Sequence, residues 1–200
     1  MDNIYWIKNF LGIVATILVF IGYIPYLRDI VKGNTKPHLY SWFLWAIVTL
    51  IAFALQFSGG AGTGAFVTLA AAIMCIAVII FGLIQKSKIK VILIDTVFLI
   101  LAFVALGLWL IAKQPVMSVI LATIVDLLGF APTIRKSWNN PFTENITFYY
   151  LNSARFTLAV IALQQYSILT ALYPISWLVA NSLFAIMLAI RRRQIKTAND

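Results

Sequence analysis

The residues that could do chemistry are few. Asp126 and Arg155 are the lone charges in the stretches 114–134 and 145–190, and Asn152 and Asn181 lie in the second of these. A carboxylate in an apolar stretch can take up a proton on one side of a barrier and release it on the other. A guanidinium can grip a substrate carboxylate through two parallel hydrogen bonds. The two can also neutralise each other in a buried ion pair that only locks two helices together. The carboxamides of Asn152 and Asn181 offer a polar solute both donors and acceptors. No nucleophile with a base, phosphate-cradling loop or pair of carboxylates is evident, so no enzyme activity and no cofactor are expected. One cysteine, Cys75, excludes a disulfide within the chain, and one histidine, His38, argues against a clustered metal site.

These side chains must be positioned by helices that cross a membrane. The chain has 200 residues, 62% of them hydrophobic and 10% charged, with a mean hydropathy of +0.97. Soluble domains carry about a quarter charged residues. The composition excludes a soluble enzyme, a disordered chain and a secreted disulfide scaffold. One charge-poor run spans Asn9 to Leu27, and a second spans Pro37 to Gln85. As one helix the second would be roughly 73 Å long, against a hydrocarbon core of about 30 Å. It must fold back, and the turn chemistry lies at Ser58–Gly64. Further spans are expected over about 91–112 and 116–135, and two within Asn145–Ile190, broken near Gln164-Gln165-Tyr166. The fold class is thus all-α and integral to a membrane, with seven transmembrane helices.

Depth can be counted along these spans. Asp126 is nine residues before Arg135, or roughly 13 Å along the helix. Arg155 is ten residues into the sixth helix and Asn181 ten before Arg191, each roughly 15 Å deep. Asn152 lies one turn from Arg155 on the same face. Trp42 and Trp45 of the second helix can stack on a sugar or a heteroaromatic ring. The deeper Trp45 is the better candidate, with Trp42 nearer an interfacial belt. Tyr173 and Trp177 are expected in a belt near the outer face. Asp95 reads as structural, snorkelling or paired with Lys90.

Twelve basic residues fall on one side of this arrangement: Arg28, Lys32 and Lys36; Lys86, Lys88 and Lys90; Arg135 and Lys136; and Arg191, Arg192, Arg193 and Lys196. The other side has two, Lys8 and Lys113. The bias places the N-terminus outside and the C-terminus in the cytoplasm. It also accounts for the net charge of +9 without nucleic acid as a partner.

Shifted by 107 residues, the segment Ala15–Arg28 matches Ala122–Arg135 at six of fourteen positions, including Gly22 with Gly129, Pro25 with Pro132 and Arg28 with Arg135. Two three-helix units, 1–88 and 114–200, are read around a linker helix, 89–113. An odd linker makes the units parallel, a 3+1+3 plan found among transporters, with a substrate expected between them. The shift sets Val19 opposite Asp126, Trp45 opposite Asn152 and Val48 opposite Arg155, so the site is asymmetric. Pro25 and Pro132 each break a helical hydrogen bond about one turn before an arginine and read as paired hinges of an inner gate.

The segments Gly22-Tyr23-Ile24-Pro25-Tyr26-Leu27-Arg28 and Gly129-Phe130-Ala131-Pro132-Thr133-Ile134-Arg135 resemble PQ-loop repeats. Tyr26 and Thr133 stand where those repeats carry glutamine. The chain is similar in topology to the PQ-loop superfamily, which includes SWEET sugar transporters, cystinosin-type exporters and KDEL receptors. The resemblance implies alternating access, a proton-coupling role for Asp126, a substrate-contacting Asn181 beside Asn152, Arg155 and Trp45, and gate positions at Tyr26 and Thr133. Its receptor branch implies an alternative: a membrane protein that binds or sorts a ligand without moving it. The partners expected are a small-molecule substrate, a proton and the lipid bilayer, with a homo-oligomer left open. A prokaryotic inner membrane is the expected location.

Overall fold

The computed structural model describes residues 2–33, 37–86 and 93–199. The segment holding Lys36, Lys88 and Lys90, the side chains of Asp95, Pro132, Lys136 and Lys196, and the expected Asp95–Lys90 pairing lie outside the described part.

Start and stop signals explain where the helices begin and end. The first helix, α1, runs Asp2–Val31. It stops at Gly33, whose φ of +73° is the left-handed conformation that suits glycine at a helix end. α2 spans Leu39–Ser58, followed by a 3-10 turn at Gly62–Ala65 and by α3, Phe66–Ile84. α4 is Leu93–Leu110, and α5 is Pro115–Asn139, opened by a proline where a missing N–H costs nothing. α6, Ile146–Ile161, is capped by Asn145, whose side chain accepts the Thr147 N–H at 3.0 Å. α7 is Ile168–Asn199. The break between α6 and α7 falls where Gln164-Gln165-Tyr166 placed it.

Among the described residues, five helical stretches are long and apolar enough to cross a membrane: Asn3–Val31, Leu39–Ser58, Gly62–Ile84, Pro115–Asn139 and Ile168–Ile195. The apolar stretch of α4 is shorter, and the 16 residues of α6 span roughly 24 Å. Large apolar side chains stand outward; Trp6, Phe10 and Ile13 of α1 are all more than half exposed. Such a surface suits lipid rather than water. The chain is an all-α integral membrane protein.

Inside, small residues let the helices approach. Ala15, Ala70 and Ala159 are buried where α1, α3 and α6 meet, and Ala102, Ala105 and Ala122 where α2, α4 and α5 meet. α3 packs on both α1 and α2, and α7 on both α5 and α6. α1 also packs on α6, and α2 on α5, while α4 lies against α5 and α2. Threonines inside these helices satisfy themselves. Thr16 donates to the Gly12 carbonyl and Thr123 to the Val119 carbonyl, each at 2.7 Å.

The two ends of the bundle differ. At the amino-terminal end, α1 meets the loops α2–α3 and α6–α7. Lys8 Nζ donates to the Leu163 carbonyl at 2.7 Å and lies 5.0 Å over the Tyr166 ring. Asn9 Oδ1 accepts from Thr63 Oγ1 and Gln164 Nε2, each at 3.2 Å, and the Gln164 N–H donates to the Ala61 carbonyl at 3.1 Å. At the other end, Arg191 Nε donates to the Trp138 carbonyl and Arg192 Nε to that of Pro141, each at 3.0 Å. These arginines fasten the α5–α6 connection as well as ending an apolar run.

Gly62 carries the amino-terminal junction. Its φ is +63°, and a Cβ there would overlap the Gln164 side chain. Gly62→Ala is therefore expected to cost roughly 2–4 kcal/mol, from left-handed strain plus overpacking. Thermal unfolding of the purified protein in detergent reads this, and an unchanged melting temperature would refute it.

Candidate functional site

α5 brings Asp126 to the interior, with the residue only 4% exposed. α7 presents two donors one turn apart. Tyr173 Oη and Trp177 Nε1 both donate to Asp126 Oδ2, each at 2.7 Å. The Tyr173 hydroxyl is also 3.4 Å from Thr49 Oγ1 of α2. One carboxylate oxygen thus ties α5 to α7, and through Tyr173 to α2. Pro174, next to Tyr173, leaves the Thr170 carbonyl without its helical N–H partner at this level.

Arg155 of α6 is 7% exposed and is not paired with Asp126. Its Nε and Nη1 are buried without a hydrogen-bond partner, and its guanidinium lies 4.6 Å from the centroid of the Phe156 ring. Of the readings open for these two charges, the mutual ion pair does not form; the Asp126 carboxylate draws its donors from α7 instead. The Tyr23 hydroxyl of α1 and the Cys75 thiol of α3, both buried, lie against each other within electrostatic reach of Asp126 and Arg155. Asn152, one turn from Arg155 on α6, is buried as well. Six helices therefore contribute to one polar cluster in an apolar interior.

The other expected site residues divide. Asn181 is buried, but its Nδ2 donates to the Trp177 carbonyl of its own helix at 2.7 Å. It lies one turn beyond the level at which α7 meets Asp126. Trp45 is half-buried and edge-on to Trp42, with ring centroids 5.1 Å apart. A Cβ on Gly129 would come within 2.9 Å of its indole nitrogen, so the glycine seats this ring one turn from Asp126. Tyr26 is half-buried against Trp42, centroids 5.2 Å apart, and Thr133 is half-buried. Pro25 is exposed within an α1 that runs unbroken to Val31, and α5 likewise continues past position 132. Among the described residues no three His, Cys, Asp or Glu side chains gather as metal ligands do.

Tyr173 and Trp177 are the residues that sequence reasoning misplaced. They are internal donors rather than belt residues. Trp42 is likewise internal, edge-on to Tyr23 at 6.2 Å. Trp177 runs nearly parallel to Phe156, at 11° and 6.5 Å, and packs on Phe130 at 5.6 Å. The one available signal was counting from the first residue of each helix. Asp126 is eleven residues past Pro115 and Trp177 nine past Ile168, so they share a level.

Compared with known proteins, the chain matches no family model, no curated protein and no solved structure.

Hydrogen bonds to a charged group contribute about 1.5–3 kcal/mol. Tyr173→Phe is expected to lower stability by that amount in the wild-type background and by much less in Asp126→Asn. A double-mutant cycle on unfolding in detergent measures the difference. Equal losses in both backgrounds would mean that the bond contributes nothing to the fold.

Proposed function

We propose that the protein is a carrier that moves a small polar solute, such as a sugar, an amino acid or a vitamin, across a membrane by alternating access. The observation that carries this reading is the polar cluster of Asp126, Arg155 and Asn152, buried among helices from both ends of the sequence. Ionisable groups inside a membrane bundle are costly and mark solute or proton pathways.

The proposal takes α1–α3 and α5–α7 as two parallel three-helix units with α4 as linker, seven spans in all. Several details favour it. Among the six helices outside α4, exchanging α1, α2 and α3 for α5, α6 and α7 maps the packing pair α1–α3 onto α5–α7, α2–α3 onto α6–α7 and α1–α6 onto α2–α5. The Tyr23–Trp42 ring pair is 6.2 Å apart, and the pair at the shifted positions, Phe130–Tyr149, is 6.1 Å apart. Thr16 and Thr123, also related by the shift, make the same 2.7 Å bond. In this scheme Asp126 takes the coupling proton, and Asn152, Arg155, Asn181 and Trp45 contact the solute. Pro25 and Pro132, with Tyr26 and Thr133, form the gate at the basic end. The basic end faces the cytoplasm of a prokaryotic cell, and the PQ-loop resemblance agrees with the plan. Access from the other side requires the Lys8, Asn9, Thr63 and Gln164 contacts to open.

The test is flux into proteoliposomes holding the purified protein, with labelled sugars, amino acids and vitamins, with and without an imposed pH gradient. At least one solute is expected to accumulate when the gradient is applied. Asp126→Asn is expected to remove the response to the gradient while leaving the protein folded. A well-folded wild type that binds a ligand but moves none would replace the carrier with a receptor.

A further inference from the structure

We infer that the solute taken by this site is an organic anion, whose carboxylate is bound by Arg155 with Asn152 beside it. The inference rests on the carrier reading for the word solute, but not for the binding itself.

A guanidinium stays protonated in proteins. Left without a counter-charge in an apolar interior it is strongly destabilising, and buried charges are found paired. Arg155 is 7% exposed, and two of its three nitrogens are buried with no acceptor. Asp126 does not serve as its counter-charge: Asp126 Oδ2 takes Tyr173 and Trp177 at 2.7 Å each. Phe156 supplies only a ring face, 4.6 Å away. A guanidinium has two edges that can bind a carboxylate in parallel, one formed by Nε and Nη2 and the other by Nη1 and Nη2. Each edge includes one of the unpartnered nitrogens. One turn away on the same helix lies Asn152, 7% exposed, whose carboxamide can both donate and accept. A carboxylate accepts about four hydrogen bonds, and these groups are the kind that fill them. A neutral solute would leave the guanidinium as it stands.

The experiment measures thermal stability of the purified protein at neutral pH with the sodium salts of acetate, lactate, succinate and benzoate. Each is paired with its neutral amide, and sodium chloride and sodium sulfate serve as inorganic arms. At least one carboxylate is expected to raise the melting temperature, its amide to do nothing, and Arg155→Gln to weaken the effective affinity roughly ten- to hundredfold. Stabilisation by amides as strong as by the acids, or a response untouched by Arg155→Gln, would overturn the assignment. So would chloride or sulfate matching every carboxylate, which would mean a bare anion site. A second variant guards against misfolding. Arg155→Met removes an unpaired charge and should leave the ligand-free protein at least as stable as wild type. A large loss would instead mean that the arginine is satisfied within the fold. Flux separates the two readings. Transport of a neutral sugar independent of Arg155 would end the anion assignment and keep the carrier. Carboxylate binding at Arg155 with no flux of any solute would do the reverse.

Discussion

A charge inside a hydrocarbon slab has no water to turn to, so its partners must come from the protein. Asp126 meets that constraint through the Tyr173 hydroxyl and the Trp177 indole, both at 2.7 Å from one carboxylate oxygen. Much of the interior follows from this. The two donors are one turn apart on α7, so that face of α7 must lie against α5. Trp177 must stand inside the bundle, where Phe130 and Phe156 wall it. Tyr173 carries the contact on to Thr49 and so to α2. Gly129, one turn further along α5, leaves the space that Trp45 occupies. A helix–helix arrangement that apolar packing alone could meet in several rotations is thereby held in one.

Arg155 is the counterpoint. It lies in the same interior and reaches the same intermediates, Tyr23 and Cys75, yet two of its nitrogens lack acceptors. Residue types on a one-dimensional string leave open whether opposite charges at similar depth pair with each other or serve a proton or a solute. Hydrogen-bond donors on a third helix had a better claim to the carboxylate.

Much was legible in the sequence. The helical, membrane-embedded character follows from composition, and the fold-back at Ser58–Gly64 and the break near Gln164 follow from turn chemistry and length. The burial of Asp126, Asn152, Arg155 and Asn181 follows from their isolation in apolar stretches. What could not be read was which residues meet. Asn181 was matched to Asp126 by counting back from arginines, but α7 continues through its arginines to Asn199. The count therefore put α7 about one turn out of step, and Trp177 takes the place at that level. Aromatic residues near a helix end fit either an interfacial belt or an interior donor, and only tertiary packing decides. The glycine-rich stretch announced a turn. That it also packs closely on the α6–α7 loop, with Gly62 against Gln164 and Gly64 against the Ala159 carbonyl, depends on a contact about a hundred residues away.

These observations meet on α6. It is the shortest of the α-helices among the described residues, at 16 residues. Its start is held by the Asn145 cap, and its middle carries Asn152 and Arg155. Just past its end, the Leu163 carbonyl receives Lys8 from α1. α1 in turn carries Tyr23 to within reach of Arg155. A displacement of α6 against α1 would disturb the guanidinium's surroundings and the amino-terminal contacts together. Those contacts are few, and each hydrogen bond contributes only about 1 kcal/mol net. A ligand shifts a conformational equilibrium only by its differential affinity for the two states. An unpaired guanidinium on α6 is a place where such a difference can be large, because pairing it removes a cost that the rest of the fold leaves standing.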